Sequence, residues 1–286
     1  MSLNPTPLFY WINERHRIWW NKDLMNGPKP WTADPILQRY RFCNVFRELD
    51  KVTQWVRDHI RKPYADSEHL WHMMFTARFI NWPDTLAELI KLGVWYPNNE
   101  FNWRAIVAAL DARGTRGDQV WTNAYTVSTN GNAMPKPLYI VREVLETAWQ
   151  NRLALARAAR QGLRVFCQEA QRIDGIGGFM AYEAACDLRW CPGWLDKAPD
   201  ISTWANAGPG AKRGLNRLHG RPLDKSVRED QAVQEMKHLL DLAPLYLEKH
   251  MPELEMRDIE HSLCETDKYL RVKLGEGKPR SLYQGV

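Results

Sequence analysis

Apolar residues recur at helical spacing along most of the chain. Ile36, Tyr40, Val45, Leu49, Val52 and Val56 fall at near-helical intervals, with Asp34 placed as a cap and Pro35 in the first turn, which predicts a helix over 35–61. A second helix is predicted over 67–81, stopped by Trp82-Pro83. Asp84 opens a third that runs to Lys91 and closes at Gly93. Phe101, Ile106, Val107 and Leu110 mark a fourth over 101–112. Residues 120–127 fit a short strand or a loop, and 128–137, with Asn130-Gly131-Asn132, is a turn region. Two more helical stretches are predicted over 138–160 and 163–173. No βαβ alternation occurs, so the fold class is all-α. The expected organisation is a basic helical region, 1–137, and a second region, 138–286, packed as one compact unit with a cleft between.

Charge is unevenly placed. Of the net +5, all arises in residues 1–62, which hold 11 Lys/Arg against 6 Asp/Glu. That segment also carries Trp11, Trp19, Trp20 and Trp31, so Arg15 and Arg17 are candidates for contact with a nucleic-acid backbone. A solvated helix face is the competing explanation. Fourteen Trp is a high count, and most are expected in the core, with a few as stacking surfaces for bases. The five Cys form no CxxC pair and no zinc-type series, and their odd number speaks against a disulfide framework. No apolar run approaches the ~20 residues of a membrane span, and the N-terminus lacks the pattern of a signal peptide. The expectation is a soluble monomer of a reducing cytoplasm, with no membrane and no metal.

The most informative stretch is Ile173-Asp174-Gly175-Ile176-Gly177-Gly178-Phe179-Met180-Ala181. An apolar helix end leads into paired glycines, and a second helix starts beyond them with a small residue, Ala181, able to pack closely. This is the helix-hairpin-helix pattern. Gly175, Gly177 and Gly178 permit a tight reversal and leave the start of the second helix open to an anion, here a DNA phosphate. A plain turn between two helices is the bland alternative.

Helix-hairpin-helix DNA glycosylases, which this stretch resembles, carry an essential Asp some way past the hairpin. Asp196 and Asp200 lie 19 and 23 residues after Gly177, and Asp200 is preferred. It precedes Gly208-Pro209-Gly210-Ala211-Lys212-Arg213-Gly214, a glycine-rich run that fits an anion-holding loop or a surface turn. The residues after the hairpin are Phe179 and Met180 where lyase-type glycosylases carry a Lys nucleophile, and the four-Cys iron–sulfur loop of some members is missing. Strand-cleaving lyase chemistry is not expected.

A second resemblance spans nearly the whole chain. Arg15-His16-Arg17-Ile18, Pro28-Lys29-Pro30-Trp31-Thr32, Asp34-Pro35-Ile36-Leu37, Tyr40-Arg41-Phe42, Asn44-Val45 and Arg47 to Trp55 look like one family's signature, as does Asp258 to Arg271. That family takes in the helical domain of phage hydroxymethyluracil DNA kinases and the glutamyl/putrescinyl thymine pyrophosphorylases, or amino acid:DNA transferases. A kinase needs a P-loop of the form GxxxxGK[ST]; the chain has none, since Gly275-Glu276-Gly277-Lys278 lacks the spacing and the hydroxyl. The resemblance therefore implies the transferase. It would replace the phosphate of 5-phosphomethyl-deoxyuridine in double-stranded phage DNA with a free amino acid, glycine in some phages. The reaction is a step in thymidine hypermodification against host nucleases, in the cytoplasm of the infected cell, with no cofactor.

Such chemistry needs a base rotated into a pocket, cations for the departing phosphate and a carboxylate for the proton of the incoming ammonium. Asp200, Lys212 and Arg213 are the candidate catalytic residues. Arg39, Arg41, Asn44, Arg47, Asp50, Glu265, Lys268 and Arg271 are the candidate substrate contacts, with Lys268 or Arg271 for the amino acid's carboxylate. Helix-face ion pairs would account for several of them as well. A glycosylase excising a modified pyrimidine is the alternative enzyme, and a non-catalytic DNA-binding scaffold is the third reading.

Overall fold

The computed structural model describes residues 3–96, 100–124, 127–279 and 282. Among them there are helices and no strand, only an isolated bridge between Tyr40 and Leu282. The chain is all-α. Among the described residues no helix is long and apolar enough to cross a membrane. No group of three or more His, Cys, Asp or Glu able to hold a metal ion occurs among the described residues.

Two compact units are present, divided at 50/51 and 200/201 rather than at 137/138. Met1–Asp50 and Ile201–Val286 make the first, and Lys51–Asp200 the second. The first opens with α1, Thr6–Trp19, whose buried face is Leu8, Phe9, Trp11, Ile12 and His16. A π-helical turn, Trp20–Leu24, extends it. After a loop comes the short α2, Pro35–Arg39, capped by Asp34, whose Oδ1 accepts the backbone N–H groups of Ile36 at 2.8 Å and Leu37 at 3.1 Å.

The single helix expected over 35–61 does not form. Tyr40 is extended (φ −108°, ψ 148°), and beyond it Phe42 and Asn44 are buried while Arg41 and Cys43 are exposed. That two-residue alternation belongs to extended chain. Asn44 fixes it: its Nδ2 donates to Leu49 O at 2.8 Å and to Asp50 Oδ1 at 3.0 Å, so this polar side chain serves the loop instead of a helix.

The second unit starts with α3, Lys51–Val56, and its π-helical continuation Arg57–Arg61. Its centre is α4, Leu70–Ile80, buried on every side and ended by Asn81 in the left-handed region. Then come α5, Pro83–Leu92, closed by Gly93, and α6, Trp103–Thr115, capped by Asn102. Residues 120–124 form a loop; Tyr125 and Thr126 lie outside the described residues. The stretch expected over 138–160 is helical but interrupted: α7, Lys136–Leu138, a π-helical Tyr139–Glu146, α8, Thr147–Gln150, and α9, Arg152–Ala159. α10, Leu163–Ala170, and α11, Gly178–Leu188, pack on one another, and α11 also packs on α4. Between these last two helices Arg78 donates through Nε to Asp187 at 2.5 Å and through Nη2 at 2.9 Å, a buried two-pronged ion pair.

The chain then completes the first unit with α12, Pro209–Leu218, α13, Glu229–Tyr246, and α14, Met256–Lys273. α14 is its hub, against α12, α1, α13 and α2. The glycine-rich run is therefore no loop. Pro209 occupies the first turn of α12, and the glycines let that helix press on α14: a Cβ on Gly214 would lie 2.5 Å from Leu263 O, and one on Gly210 would lie 2.4 Å from Cys264 Sγ.

Candidate functional site

The first unit contains a cavity of about 370 Å³, within the range of small-molecule pockets. Arg15, Ile18 and Lys22 line it from α1 and its extension, at the 3- and 4-residue spacing that sets side chains along one stripe of a helix. Lys29, Trp31 and Thr32 come from the loop, Gln38 from α2, and Tyr40 and Phe42 from the extended segment. The loop is held by side chains: Trp31 Nε1 donates to Gly27 O at 2.8 Å, Thr32 Oγ1 to Glu14 Oε2 at 2.6 Å, and Gln38 Nε2 to Thr32 O at 2.7 Å.

Asp34 ties that loop to α14. Its Oδ2 accepts the hydroxyls of Tyr269 at 2.6 Å and Tyr10 at 2.9 Å. Burial opposes its ionisation, but these hydroxyls and the α2 amides outweigh burial and hold its pKa below the usual carboxylate value. Burial and the hydrogen bond to Asp34 push the Tyr10 phenol up to about 12.

The lining charge is cationic: Arg15, Lys22 and Lys29 against Asp23. Lys22 and Lys29 place their ammonium groups 5.5 and 5.2 Å from the centre of the Trp31 ring. Arg15 is held by one bond, Nε to Cys43 O at 2.9 Å, and its Nη1 is buried with no hydrogen-bond partner among the described residues. Burial draws its guanidinium pKa below the ordinary value, while Asp50, Cys43, Glu265 and Asp23 act in the other direction. A buried guanidinium nitrogen without an acceptor is costly.

Of the residues singled out from the sequence, Arg15 is in the cavity's lining; those that follow are not, although Glu265 and Lys268 contact the segment that carries Phe42. Glu265 accepts the Cys43 N–H at 3.1 Å and holds Lys268 at 2.7 Å, and Lys268 Nζ sits 4.6 Å from the centre of the Phe42 ring. Asn44 and Asp50 bond to each other, and Arg47 is buried. Arg39 and Arg41 are exposed, and Arg17 is engaged by Glu14 and Glu248. Arg271 is half-buried and its Nε has no hydrogen-bond partner among the described residues. Arg213 and Arg217 share the buried Asp267, at 2.9 and 2.7 Å. Lys212 lies in the first turns of α12. Sequence reasoning missed Lys22, Lys29 and Trp31 as lining residues, although the 15/18/22 spacing and the Lys-Pro-Trp run were visible in it.

Asp200 and the paired glycines belong to the second unit. Asp200 Oδ1 accepts Leu163 N–H at 2.7 Å and Oδ2 accepts Arg164 N–H at 2.9 Å, so this distant carboxylate caps α10. Gly162, the residue before α10, has φ +128°, and a Cβ there would lie 2.6 Å from Asp200 Oδ1. Between α10 and α11 the chain reverses at Gly175 (φ +87°), where a Cβ would lie 2.8 Å from Val144 Cγ2. Ile173 and Ile176 are buried, whereas the Cβ position of Gly177, the N-cap of α11, faces open space and Phe179 is exposed. Residues 171–177 thus join α10 to α11 through a glycine turn, with Gly175 packed and Gly177 accessible.

Comparison with known proteins finds similarity along most of the chain. The profile of the family described as "5-hmdU DNA kinase, helical domain" matches residues 5–279. The 5-hmdU DNA kinase of Bacillus phage SP10 is 29% identical over 291 aligned positions, covering 94% of this chain. The chain spans 43% of that kinase's length. No solved structure matches.

Proposed function

The chain belongs to the family of the 5-hmdU DNA kinase helical domain, and from that membership we propose that it is a phage transferase acting on a 5-substituted uracil in double-stranded DNA. The reaction is replacement of the phosphate of 5-phosphomethyl-deoxyuridine by a free amino acid, glycine first among them. It is a step in hypermodifying thymidine in the infected cell against host restriction. The observation that carries this reading is the cavity of the first unit, about 370 Å³, which joins cations with aromatic walls. An anionic pyrimidine needs both.

The atoms balance without a cofactor. The amine nitrogen forms a bond to the methylene carbon as the carbon–oxygen bond to phosphate breaks. The ammonium gives up one proton, which ends on the departing phosphate as hydrogen phosphate, and the product secondary amine keeps the other two and its charge. Asp200 is proposed to carry that proton: each of its oxygens gives one lone pair to a backbone N–H and keeps another. Lys212 and Arg213 are proposed to stabilise phosphate charge. The turn through Gly175, Gly177 and Gly178 is proposed as a helix-hairpin-helix grip on the DNA backbone, with Gly177 the open position.

The test is mass spectrometry of nucleosides from phosphomethyluracil DNA treated with this protein and single amino acids. A nucleoside is expected that carries the amino acid, linked through its nitrogen, in place of one methyl hydrogen of thymidine. An abasic site would overturn the proposal in favour of base excision, and unaltered DNA with every amino acid would overturn the enzymatic reading.

A further inference from the structure

We propose that the cavity of the first unit binds a phosphomonoester dianion carried on a pyrimidine ring, with Arg15, Lys22 and Lys29 holding the phosphate. The inference rests on the transferase reading for the pyrimidine, and on the geometry of one unit for the anion.

Three observations lead there. The first is charge. The lining brings three cations against the single carboxylate of Asp23, and Lys22 and Asp23 are 3.9 Å apart, which leaves a surplus suited to a ligand of two negative charges. A phosphomonoester carries −1.5 to −2 at neutral pH, roughly; a carboxylate carries one. The second is Arg15 Nη1, buried and without an acceptor although Nε is fixed on Cys43 O. A guanidinium held by one nitrogen presents the others in a rigid fork, the arrangement that pairs with phosphate oxygens. The third is that the fork is positioned from a distance: Glu265 on α14 fixes Cys43 through its N–H, and Lys268 neutralises Glu265, so the carboxylate nearest Cys43 is already paired. Tyr40 and Phe42, both buried, add aromatic rings to the lining.

Isothermal titration of the full chain with three probes tests this: 5-phosphomethyl-2′-deoxyuridine, 5-hydroxymethyl-2′-deoxyuridine and thymidine 5′-monophosphate. The first should bind, and the hydroxymethyl nucleoside should bind at least tenfold more weakly. Affinity for the first should rise between pH 5 and 7.5 as the phosphate loses its second proton near pH ~6. Arg15→Gln should weaken that binding roughly ten- to a hundredfold, the range of a lost charge-assisted bond. Lys29→Gln, at an exposed position, should weaken it several-fold and keeps the test decisive if Arg15→Gln does not fold. Equal affinity for phosphomethyl and hydroxymethyl nucleosides, or binding unchanged in both variants, would overturn the proposal. Thymidine monophosphate binding as tightly as the first probe would overturn the placement of the phosphate on the ring. The outcome separates from that of the function: wild-type transfer with unchanged binding in the variants sinks the cavity alone, whereas phosphate-dependent binding with no transfer to any amino acid sinks the transferase alone.

Discussion

Replacing Asp200 by Asn separates two roles that one carboxylate could combine. The side chain accepts two backbone N–H groups, at 2.7 and 2.9 Å, at the start of α10. Asn offers one carbonyl oxygen and one NH2, so one of the two amides loses its acceptor. Loss of such a cap costs about 1–2 kcal/mol, equivalent to roughly 2–4 °C in Tm per kcal/mol for a chain of this order of size. Gly162→Ala supplies the control, because its new Cβ would collide with Asp200 and disturb the cap while leaving the carboxylate chemically intact. Thermal melts and single-turnover transfer on phosphomethyluracil DNA are then read side by side. If Asp200 carries the proton, Asp200→Asn falls in rate by about 10²–10⁴ beyond anything Gly162→Ala shows. Equal turnover in the two variants, at equal loss of Tm, would reduce Asp200 to a cap and refute the assignment.

Other consequences follow from single positions. Gly214→Ala forces a Cβ to 2.5 Å from the Leu263 carbonyl, a backbone atom that cannot swing aside, so a loss of about 1–3 kcal/mol is expected in urea denaturation; wild-type stability would show that α12 and α14 are not pressed together. Gly175→Ala should destabilise the protein, being at φ +87° against Val144, whereas Gly177→Ala should leave the melt unchanged; equal melts would contradict the turn geometry. His72 is buried, bonded to Tyr96 at 2.6 Å and Leu145 O at 2.8 Å, and burial lowers its pKa to about 3. Below the unfolded value near ~6.5 the unfolded chain holds a proton that the folded one lacks, so His72 lowers stability as pH falls from there toward 3, by up to about 1.4 kcal/mol per pH unit. The urea midpoint of His72→Gln should therefore drop less than that of wild type between pH 7 and 4.5, and parallel curves would disprove the neutral buried imidazole.

Helices with strong period and clear stops were legible in the sequence: Trp82-Pro83 and Gly93 bound α5, and the break between α10 and α11 falls at the glycines. The region after Asp34 was not, because Tyr40, Phe42 and Asn44 alternate over too few residues to outweigh the helical spacing of their neighbours. The glycine-rich run at 208–214 misled for a related reason. Glycine marks loops by its freedom, but here it marks a helix by its lack of a side chain, and only the partner, Leu263, tells the two apart. Arg15 could be picked out by charge; its unpaired nitrogen could not, since that depends on Cys43 and on Glu265, 222 residues further on.

The same separation bears on synthesis. Every lining residue of the cavity lies within the first 42 positions, yet the bonds that brace it reach across 222 residues from Cys43 to Glu265 and 235 from Asp34 to Tyr269. At about 5–20 residues per second on the ribosome, roughly 10–45 s pass between emergence of the amino-terminal segment and arrival of its brace. During that interval the nascent chain holds the cations and tryptophans of the pocket without the two bonds that brace them from α14.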